Sequence, residues 1–372
     1  MFEDFYTEED MGKIRDLLVS GKLNGWWHSH WGGTYLQEFE RKMSEYLGVR
    51  YCLGVSSGTA AVYLALKSVA SDGYVLVSPY THIGTVAPIL LAGAKPFFVD
   101  CDLHGNIDPI YVKEALDNHP NHINAIIAEH NLGTPCNMTE LKEVADEYHI
   151  PIIEDCSQAL GAEYKGKKAG SLGKVSAFSL GGDMTKTISL GEGGIVATND
   201  DRVVEMVNDL RNHGDKESKR PFPCFNFRLS DIQALLGVIQ YKTIKFQLAW
   251  QKMKAKIILE ELPFLDYPKI PKESDPAYYI IGTLYNGAKT RDEYLQIIRK
   301  LGITESYPRK AVGPGYSTLI NELPVYRDFP KTPLNRCYQL KNRSVWIDWH
   351  RYPTTDTEIF VMVKLLKEAE NC

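Results

Sequence analysis

Lys186 stands in a glycine-flanked run, Ser179-Leu180-Gly181-Gly182-Asp183-Met184-Thr185-Lys186-Thr187-Ile188-Ser189-Leu190-Gly191-Glu192-Gly193-Gly194. Upstream lies Ile152-Ile153-Glu154-Asp155-Cys156-Ser157-Gln158, an apolar run closed by a carboxylate. An amine after one short strand and a carboxylate at the end of another can serve one ligand. The amine condenses with an aldehyde, and the carboxylate keeps a pyridine nitrogen protonated so that the ring accepts electrons. That combination describes pyridoxal 5'-phosphate (PLP). Glycine on both sides lets backbone approach a ligand closely, and desolvation in such a setting would lower the lysine pKa and free the amine for attack. Taken alone, Lys186 also reads as an ordinary solvated surface charge.

Other residues extend the pattern. Val55-Ser56-Ser57-Gly58-Thr59-Ala60-Ala61 joins a strand to a helix, and N–H groups at a helix start make an anion site suited to a phosphate. The same run also reads as a plain capped helix. Asp155 falls where ligands sit in open α/β sheets, at the C-terminal end of a strand; alternatively it caps a following helix. Gln158 could donate to a phenolic oxygen of the cofactor or be a surface amide. His28-x-His30 and the pair His119 and His122 lack a carboxylate or cysteine frame, so no metal site is expected. Trp26, Trp27 and Trp31, and His350 near Trp346 and Trp349, read as core or interface.

Positioning these groups requires a sheet. Seven runs read as strands, Tyr51–Val55, Tyr74–Ser78, Pro96–Val99, Ala125–Glu129, Pro151–Glu154, Val175–Ser179 and Gly194–Thr198. Helical patterns fall between several of them, including Ala60–Val69 and Thr139–Tyr148. The alternation predicts a mostly parallel sheet covered on both faces. Beyond residue 245 the texture changes. Phe246–Leu262, Asp292–Leu301 and Thr357–Glu368 read as helices, Tyr278–Tyr285 as a strand, and Pro263–Pro276 and Val312–Pro330 as loops. Two domains are expected, 1–245 and 246–372.

Composition narrows the class. The chain has 372 residues, with 42 Lys+Arg against 47 Asp+Glu and a net charge of -5, which gives no electrostatic reason to expect a nucleic-acid partner. Seven scattered cysteines form no C-x-x-C pair and suit a reducing cytoplasm. The acidic start, Met1-Phe2-Glu3-Asp4, lacks a leader pattern, and no apolar run reaches membrane-spanning length.

From about Gly32 to Gln240 the chain resembles the DegT/StrS family of PLP-dependent aminotransferases, which act on nucleotide-linked keto-sugars and related cyclitols. The matching residues include Ser57-Gly58-Thr59-Ala60-Ala61, Gly93-Ala94-Lys95-Pro96, Gly133-Thr134-Pro135, Glu154-Asp155-Cys156-Ser157-Gln158, Lys186 to Gly194, and Asn226-Phe227-Arg228-Leu229-Ser230. The resemblance implies a three-layer aspartate-aminotransferase-like α/β fold, with a mainly parallel seven-stranded sheet and a smaller α+β C-terminal domain. It also implies a homodimer with shared active sites. By position, Lys186 would bind the PLP aldehyde and shuttle protons, and Asp155 would face the ring nitrogen. Gln158 would meet the phenolic oxygen, Gly58 and Thr59 the phosphate, and Asn226 the phosphate of the neighbouring subunit's cofactor. Glutamate or glutamine would supply the amino group and a keto-sugar would receive it.

Three departures stand out. His82 occupies the place of the family's ring-stacking aromatic, in Pro79-Tyr80-Thr81-His82. The stretch from Ser179 to Lys186 is longer than usual, which makes Thr185 a rival to Ser179 at the phosphate. The family's Pro-Leu-His segment is missing around Tyr307-Pro308-Arg309-Lys310, so the acceptor could be unusual. Arg228, Arg309 and Lys310 are candidates for contacting a diphosphate. Two other functions compete. A PLP-dependent sugar dehydratase usually lacks the lysine that Lys186 supplies. A non-catalytic regulator would have no need of Lys186, Asp155 and Gln158 together.

Overall fold

Short runs of β-branched and aromatic residues, apolar on both faces, can be buried only in a sheet covered on two sides. The computed structural model describes residues 6–26, 29–70, 72–119, 122–182, 186–213, 224–303, 312–348 and 356–372. Thr185, Trp27, His28, the Tyr307–Lys310 stretch, Trp349 and His350 lie outside the described residues. The strands of the first part are β1 (Tyr51–Val55), β2 (Tyr74–Val77), β3 (Lys95–Phe98), β4 (Ile123–Glu129) and β5 (Ile152–Asp155). They continue with a small hairpin, β6 (Glu163–Tyr164) and β7 (Lys167–Lys168), then β8 (Val175–Ser179) and β9 (Gly194–Thr198). Seven of them form one sheet in the order β1-β9-β8-β5-β4-β2-β3. From β8 to β3 the neighbours are parallel, while β9 runs antiparallel to both β1 and β8. The expected α/β class with a mainly parallel seven-stranded sheet is the one the chain adopts.

Helices α1 (Glu8–Ser20), α2 (Thr34–Leu47), α3 (Gly58–Val69), α4 (Ile83–Leu91), α5 (Pro109–Asn118), α6 (Met138–Glu147), α7 (Asp201–Arg211) and α8 (Asp231–Tyr241) accompany the sheet. Alternation along the strands decides which face each residue joins. Ala125 and Ile127 of β4 and Ile153 of β5 pack with Ala61 and Ala65 of α3, Val86 and Ile89 of α4, and Val203 and Val207 of α7. Ile126 and Ala128 of β4 and Ile152 of β5 pack instead with Val112 and Leu116 of α5 and Leu141 and Ala145 of α6. By the same alternation, Glu129, Asp155 and Ser179 end their strands on the α3–α4 side.

The remaining elements are α9 (Ile244–Glu261), β10 (Leu265–Asp266), β11 (Ser274–Asp275), β12 (Ile281–Tyr285), α10 (Arg291–Lys300), β13 (Val312–Pro314), α11 (Asn335–Arg343), β14 (Ser344–Ile347) and α12 (Asp356–Asn371). A second sheet has the order β10-β12-β14-β13. The Val312–Pro330 segment is therefore not wholly a loop: its first residues pair with β14. β13 lies at the sheet edge, where a proline costs no ladder hydrogen bond. The C-terminal part is tied to the end of β3 through buried Asp100, whose carboxylate accepts from the N–H groups of Arg336 and Cys337 at 2.9 Å each.

Candidate active site

Helix α3 begins at the C-terminal edge of the sheet because Ser57 caps it, its hydroxyl accepting from Ala60 N–H at 3.1 Å. The first-turn N–H groups, those of Gly58 and Thr59 among them, have no acceptor inside the helix. A Cβ built on Gly58 would sit 2.5 Å from the Ser179 Cβ, so only glycine allows this helix start to press against the end of β8. A Cβ on Gly84 would lie 3.0 Å from Thr59 Oγ1 and 2.9 Å from His82 Nδ1. Gly58, Thr59, Ser179 and His82 thus line one end of the site. His82 is exposed and caps α4 through Nδ1, which accepts from Gly84 N–H at 3.0 Å.

Lys186 enters from the loop between β8 and β9. Gly182 and Gly191, both at positive φ, pair across the base of that loop. Its backbone is held by Ser189, whose own N–H and C=O are bonded by the Gln240 side chain at 2.8 Å each. The half-buried Lys186 amine donates to the Ser157 carbonyl and lies 4.7 Å from the centroid of the Tyr279 ring. Burial pushes it down to about 8, against the opposing pull of Asp155 and Glu129. An amine in this state is a usable nucleophile near neutral pH.

Asp155 caps no helix. One oxygen accepts from Thr85 Oγ1 at 2.7 Å and the other from Ser157 N–H at 3.0 Å, which aims a buried carboxylate toward the amine side of the site. Nor is Gln158 a surface amide. Its Oε1 accepts from Leu132 N–H at 2.6 Å and its Nε2 donates to Tyr316 Oη at 3.3 Å. Asn226 is exposed and bonds within its own segment: its Oδ1 accepts from Arg228 N–H at 3.1 Å, and Arg228 reaches Asn212 Oδ1 at 2.7 Å. The structure therefore brings Lys186, Asp155 and Gln158 together, while Asn226 lies in an exposed segment bonded to the end of β1, where Ser56 N–H donates to Phe227 C=O at 2.8 Å.

Sequence reasoning missed Thr81, Thr85, Glu129, Tyr279 and Tyr316. Glu129 was open to discovery, because strand alternation puts the last residue of β4 on the same face as Asp155, its register partner. No local signal marks Tyr279 or Tyr316, which arrive from the C-terminal part.

Beneath the site, on the opposite face of the sheet, Glu154 and His130 form a fully buried pair at 2.9 Å. Burial alone would raise the Glu154 carboxyl. The hydrogen bond from His130 Nε2, with the N–H groups of Gly170 and Gly173, holds it below the usual range instead. Glu154→Ala leaves these donors unpaired and is expected to cost about 3–5 kcal/mol, read as a lower denaturant midpoint. A variant as stable as the parent would contradict this account of what fixes β5.

This architecture is that of known aminotransferases. The aminotransferase of Psychrobacter cryohalolentis superposes with a TM-score of 0.84 at 25% identity, covering 98% of this chain and 96% of that one. The DegT/DnrJ/EryC1/StrS aminotransferase family model matches residues 7–365, and the chain belongs to that family; it is a transaminase. It is 31% identical over 273 residues to the GDP-perosamine synthase of Vibrio cholerae, a match covering 72% of each chain. It is 32% identical over 281 residues to the dTDP-3-amino-3,6-dideoxy-alpha-D-galactopyranose transaminase of Aneurinibacillus thermoaerophilus, covering 74% of each. Among the described residues no helix is long and apolar enough to cross a membrane.

Proposed function

We propose that this transaminase binds PLP on Lys186 and transfers an amino group from glutamate or glutamine to a keto-sugar carried on a nucleotide, in two half-reactions. The site's residues fit the cofactor. The cradle at Gly58, which a Cβ would fill, suits a phosphate, and the amine and the buried carboxylate suit an aldehyde and a protonated ring. Bound PLP supplies that aldehyde and a ring that accepts electrons. Lys186 would hold it covalently, and its amine, when free, would carry the proton at the substrate carbon. Asp155, aimed by Thr85 and Ser157, keeps the ring nitrogen protonated. The N–H groups of Gly58 and Thr59, with the Ser179 hydroxyl, take the phosphate. His82 covers the ring face, and Gln158 donates to the phenolic oxygen. Asn226, exposed on its segment, would serve the phosphate of the partner's cofactor in a homodimer. All seven cysteines are free thiols, which supports work in the reducing cytoplasm.

The observation that carries this reading is the depressed lysine amine beside a two-point-anchored carboxylate. Its test is to load the protein with pyridoxamine phosphate, add nucleotide-linked keto-sugars, and follow the return of the aldehyde-form absorption. Colour should return together with an aminated sugar. Colour return with no such acceptor, or a product that has lost water and gained no nitrogen, would contradict it. The dehydratase alternative is disfavoured because Lys186 is present.

A further inference from the structure

Two carboxyl groups, not one, end the central strands beneath Lys186. Glu129 closes β4 and Asp155 closes β5, paired in register and on one face. Their hydrogen bonding differs. Both oxygens of Asp155 accept, from Thr85 and from Ser157. Glu129 is 4% exposed and receives a hydrogen bond from Thr81 Oγ1 on Oε2 alone; among the described residues Oε1 has no hydrogen-bond partner. Neighbouring carboxyls out of water do not both ionise readily, and the one with fewer donors keeps the proton. The groups that face Glu129 are Asp155 from β5, Lys186 from the β8–β9 loop, Thr81 ahead of α4, and Tyr316 from the C-terminal part. Gln158 donates to that same Tyr316 hydroxyl.

We propose that Glu129 is a further acid of the active site, which stays neutral, keeps Oε2 for Thr81, and donates Oε1–H to the phenolic oxygen of the cofactor alongside Gln158. This rests on Lys186 being the PLP-binding lysine. Burial first, then the charge of Asp155, push the Glu129 carboxyl up to about 8, in keeping with a neutral acid at working pH. A neutral donor stabilises negative charge on the phenolic oxygen. It thereby weakens that oxygen's hold on the proton of the nitrogen joining Lys186 to the cofactor, and this proton leaves at lower pH.

The test is a pH titration of the visible absorption of purified holoenzyme, comparing the parent with Glu129→Gln and Glu129→Ala. Glutamine keeps a neutral donor and alanine removes it. The Glu129→Gln midpoint should match the parent, and the Glu129→Ala midpoint should rise by about one pH unit. Glu129→Met serves as a second donor-free variant if the alanine cavity prevents folding. A parental midpoint in the donor-free variant would overturn the proposal. So would a Glu129→Gln midpoint displaced by about one unit, because that would mean glutamine had removed a charge. A parent protein with no cofactor absorption at all would instead overturn the assignment of Lys186.

Discussion

Lys186→Ala protein is expected to lose turnover by on the order of 10⁴-fold or more, since the proposed mechanism gives both the covalent tether and the proton carrier to this one side chain. It should also lose the absorption of the lysine-bound cofactor while retaining the melting temperature of the parental apoprotein. The amine is half-buried at the site and its removal leaves the core clusters intact. A pH signature accompanies this result. Only the neutral amine attacks an aldehyde, and burial has brought the Lys186 amine down to about 8. Capture of PLP by the apoprotein should therefore accelerate as pH rises toward about 8 and level off above it. An unperturbed lysine would keep accelerating to pH values above 10. Stopped-flow absorption of apoprotein mixed with PLP reads the difference. Turnover that survives in the alanine variant, or a capture rate that climbs without a plateau, would contradict the role given to this residue.

Asp155→Asn should lower kcat by about 10²–10³-fold, the scale on which a preorganised charge at a reacting centre acts. Asparagine keeps the shape and can still meet Thr85 and Ser157, but it carries no charge to hold a proton on the ring nitrogen. Asp155→Glu keeps the charge and should recover part of the loss. The contrast separates electrostatics from packing, because asparagine changes the charge and keeps the shape, whereas glutamate keeps the charge and changes the fit at a site that is 1% exposed. Parental kcat in Asp155→Asn would sink the ion-pair account, as would equal losses in both variants.

Much of this arrangement is legible in the chain because it depends on local rules. β-branched runs bounded by Gly, Pro and Asp become β1, β8 and β9 at the residues expected. The strand end at Ser179 then meets the helix start at Gly58, and the one at Asp155 meets Thr85 of α4. What stayed hidden depends on distant partners. Nothing near Tyr316 marks it as a neighbour of Gln158, since the two meet only after the C-terminal part folds back through Asp100. The antiparallel course of β9 is set by its pairing with β1 and β8, not by its composition. β13 reads as loop because Gly313 and Pro314 are poor strand formers; an edge position tolerates them. Helix α6 starts at Met138, capped by Asn137, because the Asn137 side chain claims the Glu140 N–H ahead of the expected Thr139 start. Glu129 lay between these classes. Its place on the sheet followed from alternation, but a carboxyl closing an apolar strand gained meaning only once Asp155, Thr81 and Lys186 surrounded it.

The most direct test is reduction of the PLP-loaded protein with borohydride, followed by proteolysis and mass mapping of the labelled peptide. The phosphopyridoxyl mass should sit on Lys186 and on no other lysine. A label on a different lysine, or none in protein saturated with PLP, would contradict the account.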